Sequence, residues 1–163
     1  VYKRQLVDVQ YGKTEGNTQH PVFGIAASDE DLDTIRTTLK KKGIEFEDIS
    51  EDDDVRFRMI HYQPELCQHP LFVHIEFPER AGAFLDFMER IADLASLCYF
   101  NYTYTGERVG RALVGMEFDT AEDRETIRKR MGAFSKNIIR SIREISPEAF
   151  QRIMGSRQLT GNH

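Results

Sequence analysis

The sequence predicts a mixed α+β protein made of two related units with the order β-α-β-β-α-β, the first of which lacks its opening strand and helix. Three observations support this prediction. Short segments recur in the same order along the chain. The second half shows the complete order of strand and helix patterns, and the first half shows only its last four elements. A unit with this order is ferredoxin-like, with two helices on one face of an antiparallel sheet.

The repeat rests on four pairs of matching segments. Tyr11 stands as far from Tyr102 in the chain as Gly24 stands from Gly115, so two of the pairs share one offset. The pairs, first copy before second, are residues 9–12 and 100–103, 22–25 and 113–116, 33–36 and 125–128, and 48–50 and 144–146. Chance could supply one such match, but four in the same order indicate a duplicated unit.

The second copy contains the clearer patterns. Residues 71–77 place an apolar side chain at every second position, as a strand does, and Pro78 ends them. Phe84, Phe87 and Ile91 recur on one face of a helix. The predicted elements are a strand over 71–77, a helix over 82–95, strands over 97–104 and 111–118 joined by a turn at Gly106, a helix from Thr120, a strand over 137–145 and a short helix from Ser146.

The first copy shows fewer elements. They are strands over 5–11 and 21–27, a helix around Leu32, Ile35 and Leu39, and a strand over 44–49. The missing strand and helix would precede Val1, so we expect either a chain that is cut inside a domain or one that takes this pair from elsewhere. The predicted segments are a start over 1–5 that is disordered or foreign to the fold, a partial first subdomain over 6–65, a complete second subdomain over 66–155 and a disordered tail over 156–163.

The composition argues against several classes of protein. A net charge of −5 and a pI near 5.6 differ from the basic surplus of most nucleic-acid-binding proteins. No apolar run approaches the roughly 20 residues that span a bilayer. Two cysteines are too few for a disulfide framework, so we expect a reducing compartment. No nucleophile elbow, phosphate-binding loop or dinucleotide fingerprint is present, and catalysis by this chain alone has no support from motifs.

The junction at residues 78–84 is the most informative local feature, because a strand ends and a helix begins within a few residues. Gly82 permits a close backbone approach, and the start of a helix offers unpaired amide groups that attract an anion such as a carboxylate. An ordinary tight connection between a strand and a helix explains the same residues. Both interpretations therefore stay open.

A second candidate site comes from the repeat itself. Tyr11 and Tyr102 occupy equivalent places near strand ends, and their neighbours Gln10 and Asn101 both carry amides. An amide and a phenol at matching positions could bind the amino and carboxylate groups of a small zwitterion. Packing of aromatic side chains across neighbouring strands is the alternative explanation.

Other polar clusters favour structural interpretations. Three histidines and one cysteine lie within a short stretch, namely His61, Cys67, His69 and His74. Their spacing is looser than that of structural zinc sites. The acidic residues 51–54 lack the glycine and closing glutamate of a calcium loop and suit the start of a capped helix. Cys98 lies in an apolar strand and is expected to be a small core residue.

Several segments resemble one family. They are residues 69–71, 75–85, 100–102 and 110–118, and the resemblance extends over roughly residues 6–155. They resemble the carboxy-terminal regulatory region of biosynthetic threonine dehydratase, also called threonine ammonia-lyase. That family carries two ACT-like subdomains in tandem behind a pyridoxal-phosphate catalytic domain. The resemblance implies a parent enzyme that converts L-threonine to 2-oxobutanoate and ammonia, on the route to isoleucine. Isoleucine is then the feedback inhibitor and valine the opposing effector.

The resemblance also implies which residues contact the effector. They are Gly82, Ala83 and Phe84 at the junction, Met88 one turn further, Asn101 and Tyr102 with their partner Tyr11, and Arg111 in the following strand. Two departures from the family pattern matter. Ala81 stands where the family usually has proline, and Gly12 and Thr103 stand where it usually has arginine after the tyrosine. The resemblance therefore leaves the identity of the effector open.

The resemblance is to the sensor of the enzyme and not to its catalyst. The catalytic lysine and the pyridoxal-phosphate domain have no match, so we expect no cofactor in this chain and pyridoxal phosphate in the parent enzyme. The expected partners are isoleucine or valine, the catalytic domain and further copies of the chain, without nucleic acid or membrane. The expected location is the cytoplasm, or a plastid in a plant or alga. A free-standing ACT-like module that binds amino acids or drives oligomerisation is the alternative.

Overall fold

A computed structural model describes residues 5–15, 20–50, 63–104, 109–150 and 152. The described residues form one six-stranded antiparallel sheet with three longer α-helices and a short terminal helix, which confirms the predicted mixed α+β class. The elements are β1 (Gln5–Gly12), β2 (Val22–Ala26), α1 (Asp29–Lys41), a short 3₁₀ turn (Pro64–Leu66), β3 (Leu71–Pro78), α2 (Ala83–Ile91), β4 (Ser96–Tyr104), β5 (Val109–Glu117), α3 (Ala121–Gly132) and β6 (Ser141–Ile145). Some predictions fall outside these residues, namely those for residues 1–4, 51–54, His61, Gly106 and the tail 156–163.

The second copy forms the body of the core. The strands run in the order β2-β1-β4-β5-β3-β6, so β3 lies between β5 and β6. Ile75 of β3 and Val114 of β5 are fully buried on the sheet face that α2 and α3 cover. Phe87 of α2 is fully buried in the same core cluster. No helix in the described part of the chain is long and apolar enough to cross a membrane.

A smaller apolar cluster lies on the opposite face of the sheet. Phe72 stacks on Phe150 with ring centroids 4.0 Å apart, and Tyr99 meets Phe150 edge-on at 5.1 Å. Phe150 belongs to the predicted terminal helix, which is present at residues 147–150 and is capped by the Ser146 hydroxyl. This second cluster attaches the end of the described chain to the sheet.

The repeat seen in the sequence has a structural counterpart. In both copies an arginine on a helix joins an acidic residue one turn earlier to another acidic residue far along the chain. The two sets are Asp33, Arg36 and Asp48 in the first copy and Glu125, Arg128 and Glu144 in the second. The matching helices also begin alike, because Ser28 and Thr120 each accept a hydrogen bond from an amide three residues later.

The two copies meet along β1 and β4, which pair antiparallel. Gln10 and Asn101 are register partners in this ladder, and they are also equivalent residues of the repeat. Equivalent residues face one another in an antiparallel ladder only where a local twofold axis crosses it. The axis relating β1 to β4 therefore passes between Gln10 and Asn101.

The first copy departs from the prediction at residues 44–49, which form no strand. In the second copy the corresponding strand, β6, pairs only with β3, and the described part of the first copy has no counterpart of β3. The same gap leaves Phe23 53 % exposed, whereas its equivalent Val114 is fully buried. The prediction for residues 137–145 was also too long, because Ile138 and Ile139 both donate to the Ser135 carbonyl and form a turn before β6.

Candidate functional site

The junction between β3 and α2 is a compact turn. The Arg80 amide donates to the Pro78 carbonyl at 2.8 Å, and the Ala83 amide donates to the Arg80 carbonyl at 3.2 Å. Gly82 then adopts a left-handed conformation with φ of 76° just before the helix begins. Because side chains are strained in this region, glycine suits the position. Gly82 also brings no capping side chain to the first turn of α2.

Arg80 holds this turn against its surroundings. Its guanidinium donates to the Asn137 carbonyl at 2.7 Å and to the Asp86 carboxylate at 2.9 Å. The hydrogen bond from Arg80 lowers the pKa of Asp86, and Arg90 adds to the effect. The turn is therefore tied both to the loop before β6 and to the first helical turn of α2.

An aromatic group covers the sheet beside the start of α2. The Phe84 ring lies 4.8 Å from Phe100 and meets Phe77 edge-on at 6.1 Å, centroid to centroid. Phe77 also contacts the Tyr102 ring at 6.2 Å. Met88 and Tyr11, both partly buried, pack on the same core. The structure thus brings Phe84, Met88, Tyr11 and Tyr102 to one face, at the seam where β1 pairs with β4.

Tyr102 lies directly over Gly110 of the neighbouring strand. A Cβ atom at Gly110 would stand 2.4 Å from the Tyr102 hydroxyl oxygen and 2.5 Å from a ring carbon. The absence of a side chain at Gly110 therefore makes room for the tyrosine. Burial raises the pKa of Tyr102, so its phenol keeps its proton and can donate a hydrogen bond.

Three predicted site residues lie on the other face of the sheet. Successive side chains of a strand point to opposite faces, so Gln10 and Asn101 point away from the neighbouring tyrosines. Arg111 shares their face and forms an ion pair with Glu76, with Nε 3.6 Å from Oε1. The structure therefore does not bring the amides and the phenols together on one face. The effector role of these three residues stays a prediction.

Asp8 adds a partly buried carboxyl group to that second face. Its Oδ2 accepts a hydrogen bond from Gln10 at 3.2 Å, whereas its buried Oδ1 has no partner among the described residues. Burial raises the pKa of Asp8 above its ordinary value, and the hydrogen bond from Gln10 opposes this only in part. The ionised form of Asp8 is therefore less stable in the folded chain than in water.

We expect the Asp8→Asn variant to have a higher urea midpoint than the native chain at neutral pH. Since the folded pKa exceeds the unfolded value of about 3.9, the native chain loses stability as the pH rises through the folded pKa. The difference between the variants should therefore shrink as the pH falls toward about 4. Urea titrations over this range test the expectation, with the exposed Glu89→Gln as a control. A difference that does not change with pH would contradict it.

An open depression of about 540 Å³ lies at the far side of the same junction, lined by Pro78, Glu79, Lys136 and Arg140. It shares no residue with the predicted effector set. Sequence reasoning missed it, because no spacing relates the loop before β6 to the end of β3. The Lys136 ammonium donates to the Arg140 carbonyl at 2.8 Å. One of the two cationic side chains in the depression therefore already has a hydrogen-bond partner. Side chains from both copies line the seam, so the seam is the stronger candidate for the functional site.

Metal binding was a second possibility raised by the histidines. Within the described ranges, no three His, Cys, Asp or Glu side chains come close enough together to hold a metal ion. His74 sits in β3, paired with Leu113 and Arg143, and His69 lies in the turn before that strand.

Comparison with known proteins gives a family match within the second copy. The family model for the C-terminal regulatory domain of threonine dehydratase matches residues 67–141, somewhat less than half of the chain. No curated protein gives a significant match to the sequence. The matched range contains β3, α2, β4, β5 and α3, and with them the junction and the aromatic group described above. Residues 67–141 are therefore similar to the C-terminal regulatory domain of threonine dehydratase, which confirms the resemblance over that range.

Proposed function

We propose that this chain is the effector-sensing region of a pyridoxal-phosphate-dependent threonine ammonia-lyase, and that isoleucine binds to it as a feedback inhibitor. In the parent enzyme, the catalytic domain would convert L-threonine to 2-oxobutanoate and ammonia. The family match over residues 67–141 supports the regulatory role. The single observation that carries the binding site is that Phe84, Met88, Tyr11 and Tyr102 are all partly buried against the main core on the sheet face beside the β1–β4 seam.

The seam suits an aliphatic side chain. Phe84 and Met88 come from successive turns of α2, and both pack against the core while keeping part of their surface accessible. A branched apolar group could extend the core at this place and remove its own surface from water. Methionine adapts to ligands of slightly different shape because it is unbranched. Isoleucine and valine would therefore both bind, with isoleucine favoured by its additional methylene group.

The polar end of the ligand would meet the start of α2. The Ala83 amide donates to the Arg80 carbonyl, so a carboxylate would meet the amides that follow it in the first turn of α2, where Gly82 provides no competing side chain. The protonated Tyr102 phenol offers a further donor on the same face. A free amino acid would thus lie with its carboxylate toward the junction and its side chain along α2.

Regulation follows from the position of the site between the copies. Tyr11 comes from the first copy, whereas the other three side chains come from the second. A ligand that contacts both copies stabilises one arrangement of the seam relative to others. Such coupling is typically about 1–3 kcal/mol, which corresponds to a change of several-fold to a hundredfold in effector response. Valine, with fewer contacts to Met88, would stabilise the seam differently and oppose isoleucine.

We expect the Met88→Ala variant to bind isoleucine about tenfold more weakly, because it loses part of the apolar wall. The matched control is Leu85→Ala on the same helix, since the Leu85 side chain is 59 % exposed and points away from the core. Calorimetric titration of both variants with isoleucine, valine and threonine measures the effect.

Two outcomes would count against the proposal in different ways. If none of the three amino acids gives heat or a melting shift at millimolar concentration, the chain is not their sensor. If isoleucine binds but Met88→Ala and Leu85→Ala behave alike, the sensor role stands and the site lies elsewhere. The depression near Lys136 and Arg140 would then be the next place to examine.

An oligomerisation module is the second candidate, favoured by the outer edge of the sheet. Strand β2 ends the sheet and carries the exposed side chains Phe23 and Ile25, which are 53 % and 38 % exposed. An open edge with apolar side chains is a template for pairing with another chain. Sedimentation at several concentrations distinguishes this role, because association through β2 should weaken in a Phe23→Lys variant whether or not isoleucine is present.

A further inference from the structure

Two cysteines that are distant in the sequence meet in the second apolar cluster. Cys98 is fully buried there, and the partly exposed Cys67 packs against the same group of side chains. Both residues carry free thiols, and both belong to this one cluster of packed side chains. The candidate effector site uses neither of these cysteines.

A break in the strand register places Cys98 toward Cys67. The ladder between β4 and β5 shifts between Leu97 and Tyr99, so Cys98 is an extra residue in β4. Leu97 packs on the main core, whereas Cys98 and Tyr99 both belong to the second cluster. In a regular strand two successive side chains would point to opposite faces. The bulge therefore turns the Cys98 thiol to the face on which Cys67 packs. Cys67 lies in the connecting segment, residues 63–70, which leads into β3.

Hydrogen bonds on either side of Cys67 hold that segment in place. Lys13 donates through Nζ to the Leu66 carbonyl at 3.1 Å and forms a salt bridge of 2.6 Å with Glu117. The same Glu117 carboxylate accepts a hydrogen bond from the Gln68 amide at 3.2 Å. The Lys13 backbone amide, in turn, donates to the Cys98 carbonyl at 2.7 Å. The Lys13–Glu117 ion pair thus holds both neighbours of Cys67, and the Lys13 backbone holds that of Cys98.

We propose that Cys67 and Cys98 are a reversible oxidation site, which forms an intramolecular disulfide when the chain meets a peroxide. Cys67 is the sulfur that reacts first, because it is the accessible one. The interaction with Cys67 and burial raise the pKa of Cys98, so the Cys98 thiol keeps its proton.

The chemistry requires a peroxide and two thiols. The Cys67 thiolate attacks one peroxide oxygen, the O–O bond breaks, and Cys67 becomes a sulfenic acid while the other oxygen leaves as water or an alcohol after taking a proton. The Cys98 sulfur then attacks the Cys67 sulfur, and the S–O bond breaks as the S–S bond forms. The departing hydroxide takes the Cys98 proton and leaves as water. The two thiols supply the two electrons that reduce the peroxide, and a dithiol reductant reverses the change.

The disulfide would join the segment between the two copies to β4, the strand that forms the seam with β1. Transient disulfides of this kind are compatible with a reducing compartment. The covalent bond would restrict the motion of the connecting segment relative to the sheet. The proposal does not depend on the identity of the effector.

Hydrogen peroxide treatment of the full chain tests the proposal. We expect both thiols to disappear together, a Cys67–Cys98 cross-linked peptide in the digest, and a higher urea midpoint that dithiothreitol reverses. The Cys67→Ser variant should leave Cys98 unreacted, because Cys98 is buried. The Cys98→Ala variant should leave Cys67 at the sulfenic acid or beyond, and Cys98→Val provides a second version if alanine loosens the fold.

The positioning role of the ion pair gives an independent readout. A Glu117→Gln variant keeps both cysteines but weakens the attachment of the connecting segment. Its disulfide should therefore form several-fold more slowly, although the chain starts with the same number of thiols. Disulfides that form only between chains, or a native chain in which Cys67 ends as the same sulfenic or higher acid as in Cys98→Ala, would overturn the proposal.

Discussion

Replacing Phe87 with alanine is expected to lower the free energy of unfolding by about 3–5 kcal/mol, the range for large aromatic side chains removed from a core. Phe87 is fully buried at the centre of α2. Its ring meets Phe77 edge-on at 5.6 Å and Phe134 at 6.3 Å, so it joins α2 to the sheet and to the end of α3. No smaller side chain could maintain all of these contacts.

Urea unfolding of the Phe87→Ala and Leu85→Ala variants checks this prediction. Leu85 lies on the exposed side of the same helix, so its truncation should change stability by less than about 0.5 kcal/mol. The comparison separates burial from helix propensity, because both variants introduce alanine into α2. Equal losses in the two variants would contradict the packing described for α2.

Replacing Gly110 with alanine is expected to destabilise the chain by about 1–3 kcal/mol and to remove isoleucine binding. The new Cβ would stand 2.4 Å from the Tyr102 hydroxyl oxygen and 2.7 Å from the ring carbon that carries it. The tyrosine would have to leave its place against Phe77, and the donor offered by its phenol would move with it. The free energy of isoleucine binding should therefore fall by more than the free energy of unfolding does.

A double variant distinguishes displacement of Tyr102 from a general strain in β5. In a chain that already carries Tyr102→Ala, the added Gly110→Ala change should cost far less stability, because the clashing ring is gone. Gly132→Ala is the matched control, since a Cβ there meets no atom within 4 Å. Unfolding and calorimetric titration of the four variants measure both effects. Full isoleucine affinity in Gly110→Ala would exclude Tyr102 from the site.

Alternation of apolar residues made the strands of the second copy predictable. For β3 the prediction of 71–77 differs from the observed Leu71–Pro78 by one residue. The helix N-cap at Thr120 could be predicted equally well, because its hydroxyl accepts a hydrogen bond from an amide only three residues later. Patterns of this kind depend only on neighbours in the chain, and a single sequence contains them.

The failures concern features that depend on distant partners. Residues 44–49 have the composition of a strand, but a strand needs a neighbour to pair with, and the described part of the first copy supplies none. The bulge that turns Cys98 toward Cys67 leaves no mark in the sequence, so Cys98 was expected only to be a small buried residue. Its burial is confirmed, whereas its contact with Cys67 was not foreseen.

The separation of the amides from the phenols has a simpler cause. Gln10 and Tyr11 are adjacent in one strand, and adjacent residues of a strand point to opposite faces. The same holds for Asn101 and Tyr102. The prediction grouped residues by their equivalence in the repeat and did not ask which face each one occupies.

The twofold axis between Gln10 and Asn101 has a consequence for stoichiometry. The axis generates two equivalent places at the seam, one on the side of the second copy and one on the side of the first. Among the described residues only the second copy supplies a helix in the position of α2, so only one of these places has an apolar wall. We therefore expect one amino acid to bind per chain at this seam. A strand–helix pair that completed the first copy would create the second place and raise the count to two.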